Sequence, residues 1–216
     1  MKNIALKKPR RPVDEALRAN RTEQILDAAA RLFAKHGYAD ADTQLLADEL
    51  GVGKGTLYRY FPSKMALFLA AADRVMRRLR AEIDGRIKDV ADPLDRIAVA
   101  IRTFLEFFAA NPDFVELLMQ ERAQFKDRKE PTYFQHRKVN VERWKDLYRQ
   151  LMAEGRIRAM PVERITDVLS DLVYGTMFSN YFTGNEKAFE AQAGDILDIV
   201  FHGILSERER ACRKPE

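Results

Sequence analysis

The chain has 216 residues, 46% hydrophobic and 32% charged, which suits one or two helix-rich globular domains with a sizeable buried core. Its net charge of +4 is uneven: residues 1–87 hold 17 Lys and Arg against 11 Asp and Glu (+6), and residues 88–216 hold 20 against 22 (−2). No apolar run reaches the length of a membrane span, and the basic start MKNIALKKPRRP lacks the apolar stretch of a signal peptide. With Cys212 as its one cysteine, the chain forms no internal disulfide, and a reducing cytoplasm is expected.

Residues 1–18 form a basic, proline-punctuated arm with Lys7, Lys8, Arg10 and Arg11, which fits either a minor-groove contact or an uninvolved terminus. A first helix is predicted from Asn20 to Lys35, with Asn20 and Glu23 as a capping pair and Ile25, Ala29, Leu32 and Phe33 at helical spacing. The next stretch, Thr43 to Lys64 (TQLLADELGVGKGTLYRYFPSK), is the most informative. It reads as two short helices joined at Gly51, the first capped by Thr43 and apolar along Leu45, Leu46 and Leu50. In the second, Val52 and Leu57 point to the core and leave Lys54, Thr56 and Arg59 outward, the layout of a helix-turn-helix that enters a DNA major groove.

Lys54, Thr56 and Arg59 are the candidates for base readout, because Lys or Arg matches the acceptors of guanine and the threonine methyl meets thymine. Gly55 lets backbone approach the duplex, and Thr43, Tyr58, Tyr60 and Lys64 supply donors for phosphates. Tyr58, Tyr60 and Phe61 also fit a small core, and Phe61 is assigned to it. A nucleotide-binding loop is set aside, since Asp48 and Gly55 stand where it needs Gly and Ser or Thr.

These residues resemble the DNA-binding domain of the tetracycline-repressor (TetR) family over roughly residues 20–70. The resemblance rests on Phe33 to Gly37, Thr43, Gly51-Val52, Gly55-Thr56-Leu57-Tyr58, Tyr60-Phe61 and Ser63-Lys64. Gly53 and Met65 depart from the family's usual Ser or Thr and Glu. The resemblance implies phosphate contacts from Thr43, Tyr58 and Lys64. It also implies a helix-turn-helix domain over 19–66 and a helical effector-binding and dimerisation domain over 67–216.

Pro62-Ser63 opens a helix of about 22 residues with Leu67, Ala71, Val75 and Leu79 inward and Arg74, Arg77, Arg78 and Arg80 as a solvated face. Further helices are predicted from Asp92-Pro93 to Asn111-Pro112, over about 113–125, over 132–154 ending at Gly155, over 161–183, and over 187–208 after Gly184-Asn185. The fold class is therefore all-α, with about nine helices. The last two are apolar nearly all round, through Val168, Leu169, Leu172, Val173, Met177, Phe178, Tyr181 and Phe182, then Ile196, Leu197, Ile199, Val200, Phe201, Ile204 and Leu205. A second subunit buries such helices most simply, with Gly175 and Gly203 allowing close approach; a monomer core is the other reading. A four-helix homodimer interface is what the resemblance implies.

His36, His136 and His202 lie far apart, and no catalytic, metal or cofactor motif is present, so neither an enzyme nor a cofactor is expected. The resemblance implies instead an effector pocket in the aromatic-rich helices. Its candidates are Phe104, Phe107, Phe108, Leu118, Trp144, Tyr148, Tyr174 and Phe178, with Glu121 and His136 as polar contacts. The expected protein is a homodimeric repressor on a palindromic double-stranded operator, released by an unidentified small molecule. A regulator controlled by a protein partner and a helical enzyme with a vestigial head are the alternatives.

Overall fold

The computed structural model describes residues 12–184 and 188–203, which form nine α-helices and no strand. They are α1 (Pro12–Asp40), α2 (Thr43–Glu49), α3 (Lys54–Tyr60), α4 (Lys64–Ile87), α5 (Pro93–Ala110), α6 (Pro112–Gln124), α7 (Thr132–Ala153), α8 (Val162–Thr183) and α9 (Phe189–His202). Lys7, Lys8, Arg10, Arg11, Asn185, Ile204, Leu205 and Cys212 lie outside the described residues. No described helix is long and apolar enough to cross a membrane.

Helix boundaries follow side chains that satisfy the first free backbone N–H groups. Ser63 accepts from Ala66 N at 3.0 Å and Asp92 from Leu94 N at 2.7 Å, while Pro93 and Pro112 open their helices where no N–H is needed. Gly51, at φ +62°, lets the chain leave α2 and turn into α3.

Four expectations are corrected. The first helix begins at Pro12 rather than Asn20, so residues 12–18 are helical, and Asn20 and Glu23 lie inside the helix instead of capping it. It also continues past Lys35 to Gly37, whose φ of +74° kinks it before its last turn. The cap of α2 is Asp42, which accepts from Gln44 N at 2.8 Å; Thr43 is the first helical residue and is buried. Leu45 is 52% exposed, because the inward stripe of α2 is Thr43, Leu46, Ala47 and Leu50, and Leu45 falls outside that spacing. Arg74 is not on the solvated face: it is 7% exposed and donates to Glu23 and Asp27 of α1.

The core has two connected parts. One joins α1, α2, α3, α4 and α6 around Phe33, Leu46, Leu57, Phe68 and Leu117. The other joins α5, α7, α8 and α9 around Ile97, Leu105, Leu151 and Val173. Phe68 stacks edge-on against Phe33 at 5.0 Å and Phe125 at 5.5 Å, so the helix-turn-helix region shares an aromatic cluster with the end of α6. On α8 and α9, Leu169, Val173, Met177 and Ala193 are buried, whereas Val168, Leu172, Phe182, Ile199 and Phe201 are exposed on the other side.

Phe68→Ala is expected to lower unfolding free energy by about 3–5 kcal/mol, since it empties a fully packed aromatic site. Leu45→Ala, on the open side of α2, is expected to stay within about 0.5 kcal/mol. Urea unfolding at a fixed protein concentration measures both.

Candidate DNA interface and effector cavity

α3 has only seven residues, too few to persist alone, and its attachment decides what it presents. Leu57 is 1% exposed and anchors it, while Val52 N donates to Ala47 O at 2.9 Å across the turn. Arg21 Nη2 reaches Leu50 O at 2.6 Å and fastens the end of α2 to α1. With Leu57 inward, Lys54, Gly55, Tyr58 and Arg59 are exposed, and Thr56, Tyr60 and Lys64 are half-buried.

The outward side chains are held by one another. Arg59 Nη2 donates to Thr56 Oγ1 at 3.0 Å, and Lys54 Nζ lies 3.4 Å from Asp42 Oδ1. The Gln44 N–H, followed by Lys54, holds the Asp42 carboxyl below the ordinary carboxylate range. Thr43 is 3% exposed and its hydroxyl meets that of Tyr58 at 3.1 Å, so within this pair Tyr58 is the group that reaches solvent. Lys64 Nζ donates to Ala39 O at 2.9 Å and lies over the Tyr38 ring, while Arg18 lies over Tyr60. The fold thus gathers all eight candidate DNA-contact residues on α2, α3 and the start of α4, with Thr43 behind the surface. Sequence reasoning missed Asp42 and Arg18. An Asp directly before a helix was the available signal for the first.

Gly55 has open space where a Cβ would stand, so nothing inside the protein requires glycine at this helical position.

A second site lies among α4, α5, α7 and α8, a partly enclosed cavity of about 160 Å³. Each helix contributes one face at helical spacing: Met76, Leu79, Arg80 and Ile83; Ile97, Ala100, Ile101 and Phe104; Thr166, Leu169, Ser170 and Val173. α7 supplies Tyr133, Arg137, Asn140, Val141, Trp144 and Tyr148. Burial pushes the Tyr133 and Tyr148 phenols well above their ordinary range. Arg137 joins α7 to α8 through Asp171 at 2.9 Å and Asp167 at 3.7 Å.

Of the predicted effector contacts, Phe104, Trp144 and Tyr148 line this cavity. Phe107 and Phe108 pack into the core with Phe114, and Phe178 packs on Tyr174. Leu118 and Tyr174 line a surface cleft beside the α6–α7 loop, which Tyr133 separates from the cavity. Glu121, 1% exposed, accepts from Arg128, from Thr132 N at 2.8 Å and from Thr132 Oγ1 at 3.0 Å, and so holds that loop. His136 Nε2 lies 2.8 Å from Asp73 Oδ1 and links α7 to α4. Aromatic content was a poor guide because most of these rings are core. The repeated i, i+3, i+4, i+7 faces of four helices were the better signal. Among the described residues no group of three or more His, Cys, Asp or Glu is placed to hold a metal ion.

Comparison with known proteins places both sites in context. Residues 25–71 match the family model for bacterial regulatory proteins of the tetR family, and residues 90–177 match a tetracyclin repressor-like C-terminal domain. An uncharacterized HTH-type transcriptional regulator of Mycobacterium tuberculosis is 43% identical over 100 residues, 44% of this chain; the chain spans half the length of that relative. The nucleoid occlusion factor SlmA of Vibrio campbellii is 30% identical over 155 residues, 68% of this chain and 75% of that protein. The crystal structure of the transcriptional regulator FadR from Bacillus subtilis in complex with stearoyl-CoA superposes with a TM-score of 0.70. It covers 85% of this chain and 99% of that one at 18% identity, a likeness of fold.

Gly55→Ala separates the internal and external demands on α3. Folding stability is expected to hold or rise by up to about 1 kcal/mol, as for other exposed helical glycines. Affinity for DNA is expected to fall, because the new methyl occupies the space a duplex would use. Thermal unfolding and fluorescence anisotropy on labelled duplex measure the two effects.

Proposed function

Because the chain belongs to the tetR family of bacterial regulatory proteins, we propose that it is a helix-turn-helix transcriptional regulator that binds an operator as a homodimer and is released by a small-molecule effector. The observation that carries the DNA half is α3, anchored by a buried Leu57 with Lys54, Gly55 and Arg59 left open on one side. Residues 19–66 act as the DNA-binding head and residues 67–216 as the effector and dimerisation part, working in the cytoplasm. Lys54, Thr56 and Arg59 read base edges, while Tyr58, Tyr60 and Lys64 contact phosphates, with Thr43 positioning Tyr58.

The dimer reading is supported by the exposed apolar residues Val168, Leu172, Phe182, Ile199 and Phe201 on α8 and α9. Such a cluster on two neighbouring helices is an interface in waiting, and a two-fold dimer sets two α3 helices on successive major grooves. Repression with release by an effector is supported by the cavity and by α4. This helix follows α3 directly and carries the cavity residues Met76, Leu79 and Ile83 farther along. A ligand that favours one placement of α4 favours one spacing of the two heads, and operator affinity changes by the same linkage. The FadR of Bacillus subtilis, with stearoyl-CoA bound, is a protein of like fold that holds a small molecule.

The test is anisotropy of the purified protein on duplex from its own upstream region and on scrambled duplex, across a salt series. Tight, sequence-dependent binding with a steep salt slope supports the reading, and equal weak binding to both duplexes goes against a local operator. Arg59→Ala is expected to reduce discrimination between the two duplexes by about 1–3 kcal/mol if it meets a guanine. Lys54→Ala is expected to lower the salt slope by about 1 for a lost phosphate contact and to leave it unchanged for a base contact. Leu172→Glu is expected to give a monomer in sedimentation with weakened operator binding; a dimer would place the interface elsewhere.

A further inference from the structure

The cavity wall combines apolar surface with polar groups that the protein leaves unbonded. Asn140 Oδ1 is buried without a hydrogen-bond partner among the described residues. Tyr133 and Tyr148 are each 6% exposed, and neither hydroxyl bonds to a described residue. All three project from α7 at intervals of about two turns, so they form one polar seam along the cavity. A buried amide oxygen nearly always has a partner, and an unbonded one on a cavity wall marks where a ligand supplies it.

The sign of the missing partner follows from charge. Among the described residues Arg80 and Arg137 line the cavity, and no Asp or Glu does. Arg137 forms ion pairs with two exposed aspartates of α8, Asp171 at 2.9 Å and Asp167 at 3.7 Å, which hold the guanidinium beside the cavity and leave N–H groups for a ligand. Among the described residues Arg80 has one loose ionic contact, 3.7 Å to Asp84. An amine here would meet like charge, and a hydrocarbon would leave the donors unbonded. A carboxylate accepts from guanidinium and phenol alike. Half a turn of the Asn140 carboxamide presents its NH2 in place of its oxygen. The volume sets the bulk: about 160 Å³ is close to the roughly 150 Å³ that accommodates a benzene ring.

Resting on the effector reading above, we propose that the cavity takes a small organic carboxylate whose apolar body is a single ring or a chain of similar bulk. Its carboxylate faces Arg137 and the hydroxyl of Tyr133, one turn apart on α7, and its body lies against Ile101 and Phe104.

Calorimetry on the full-length protein with benzoate and hexanoate, against benzamide, benzyl alcohol, hexanol and benzylamine, tests this. The carboxylates are expected to bind about 10- to 100-fold more tightly than the neutral compounds, and benzylamine weakest. R137Q is expected to remove that preference, R137K to keep part of it, and R149Q, on the exposed side of α7, to leave it intact. If R137Q does not fold, Y133F, which loses the hydroxyl beside Arg137, still weakens carboxylate binding several-fold relative to the neutral compounds. Neutral compounds binding as tightly as carboxylates would overturn the ligand class and leave the cavity as an effector site. Failure of every probe to bind would remove the cavity from the functional reading as well. Carboxylate binding without loss of DNA affinity would uphold the ligand class and overturn its regulatory role.

Discussion

The placement of α4 depends on Arg74. A guanidinium this deeply buried must be paired, and Arg74 meets Glu23 and Asp27, one turn apart on α1, with Asp27 Oδ2 at 2.8 Å. The planar fork of arginine suits two carboxylates in fixed positions, which lysine would not hold in the same way. Arg78 adds a contact to Asp27 at 3.3 Å. About a quarter turn round from Arg74, α4 is clasped to α7 by Asp73–His136 at 2.8 Å and by Arg143 to Asp84 at 3.0 and 3.1 Å. Directional polar contacts therefore set the rotation of α4 about its axis, beyond what apolar packing alone prescribes.

The head inherits its position from this arrangement. Phe33 and Phe68 carry its core into the end of α6 through Phe125, so α1 and α4 form a rigid base. The short α2 and α3 rest on that base through Leu46 and Leu57. Because one leucine of α3 does the anchoring, its remaining side chains stay exposed or half-buried. Tyr58 and Tyr60 stay in contact with Thr43 and Arg18 and lie on the same short helix as Lys54, Thr56 and Arg59.

The cavity is where local stability is given up. Four helices pack closely enough to form a continuous wall, but Asn140 Oδ1 is buried there with no hydrogen-bond partner among the described residues. The same α4 residues that form this wall sit two to three turns from Arg74 or closer, so the cavity wall and the Arg74 clasp share one helix.

The all-α class, the nine helices and most of their ends were legible in the sequence, because Pro, Gly and capping residues act locally and the apolar spacing is regular. Gly51, Ser63, Asp92 and Gly155 each mark the boundary they were expected to mark. The helix-turn-helix was equally legible, since the inward Leu57 and outward Lys54 and Arg59 follow from helical periodicity alone. Tertiary structure decided what periodicity cannot. Arg74 became a buried clasp because two carboxylates 47 and 51 residues away in sequence stand opposite it. Glu121 became a loop anchor, and Phe107 and Phe108 became core, because their neighbours come from other helices. The cavity could be located only once four helices were packed, since a void belongs to the space between elements and to no residue of any one of them.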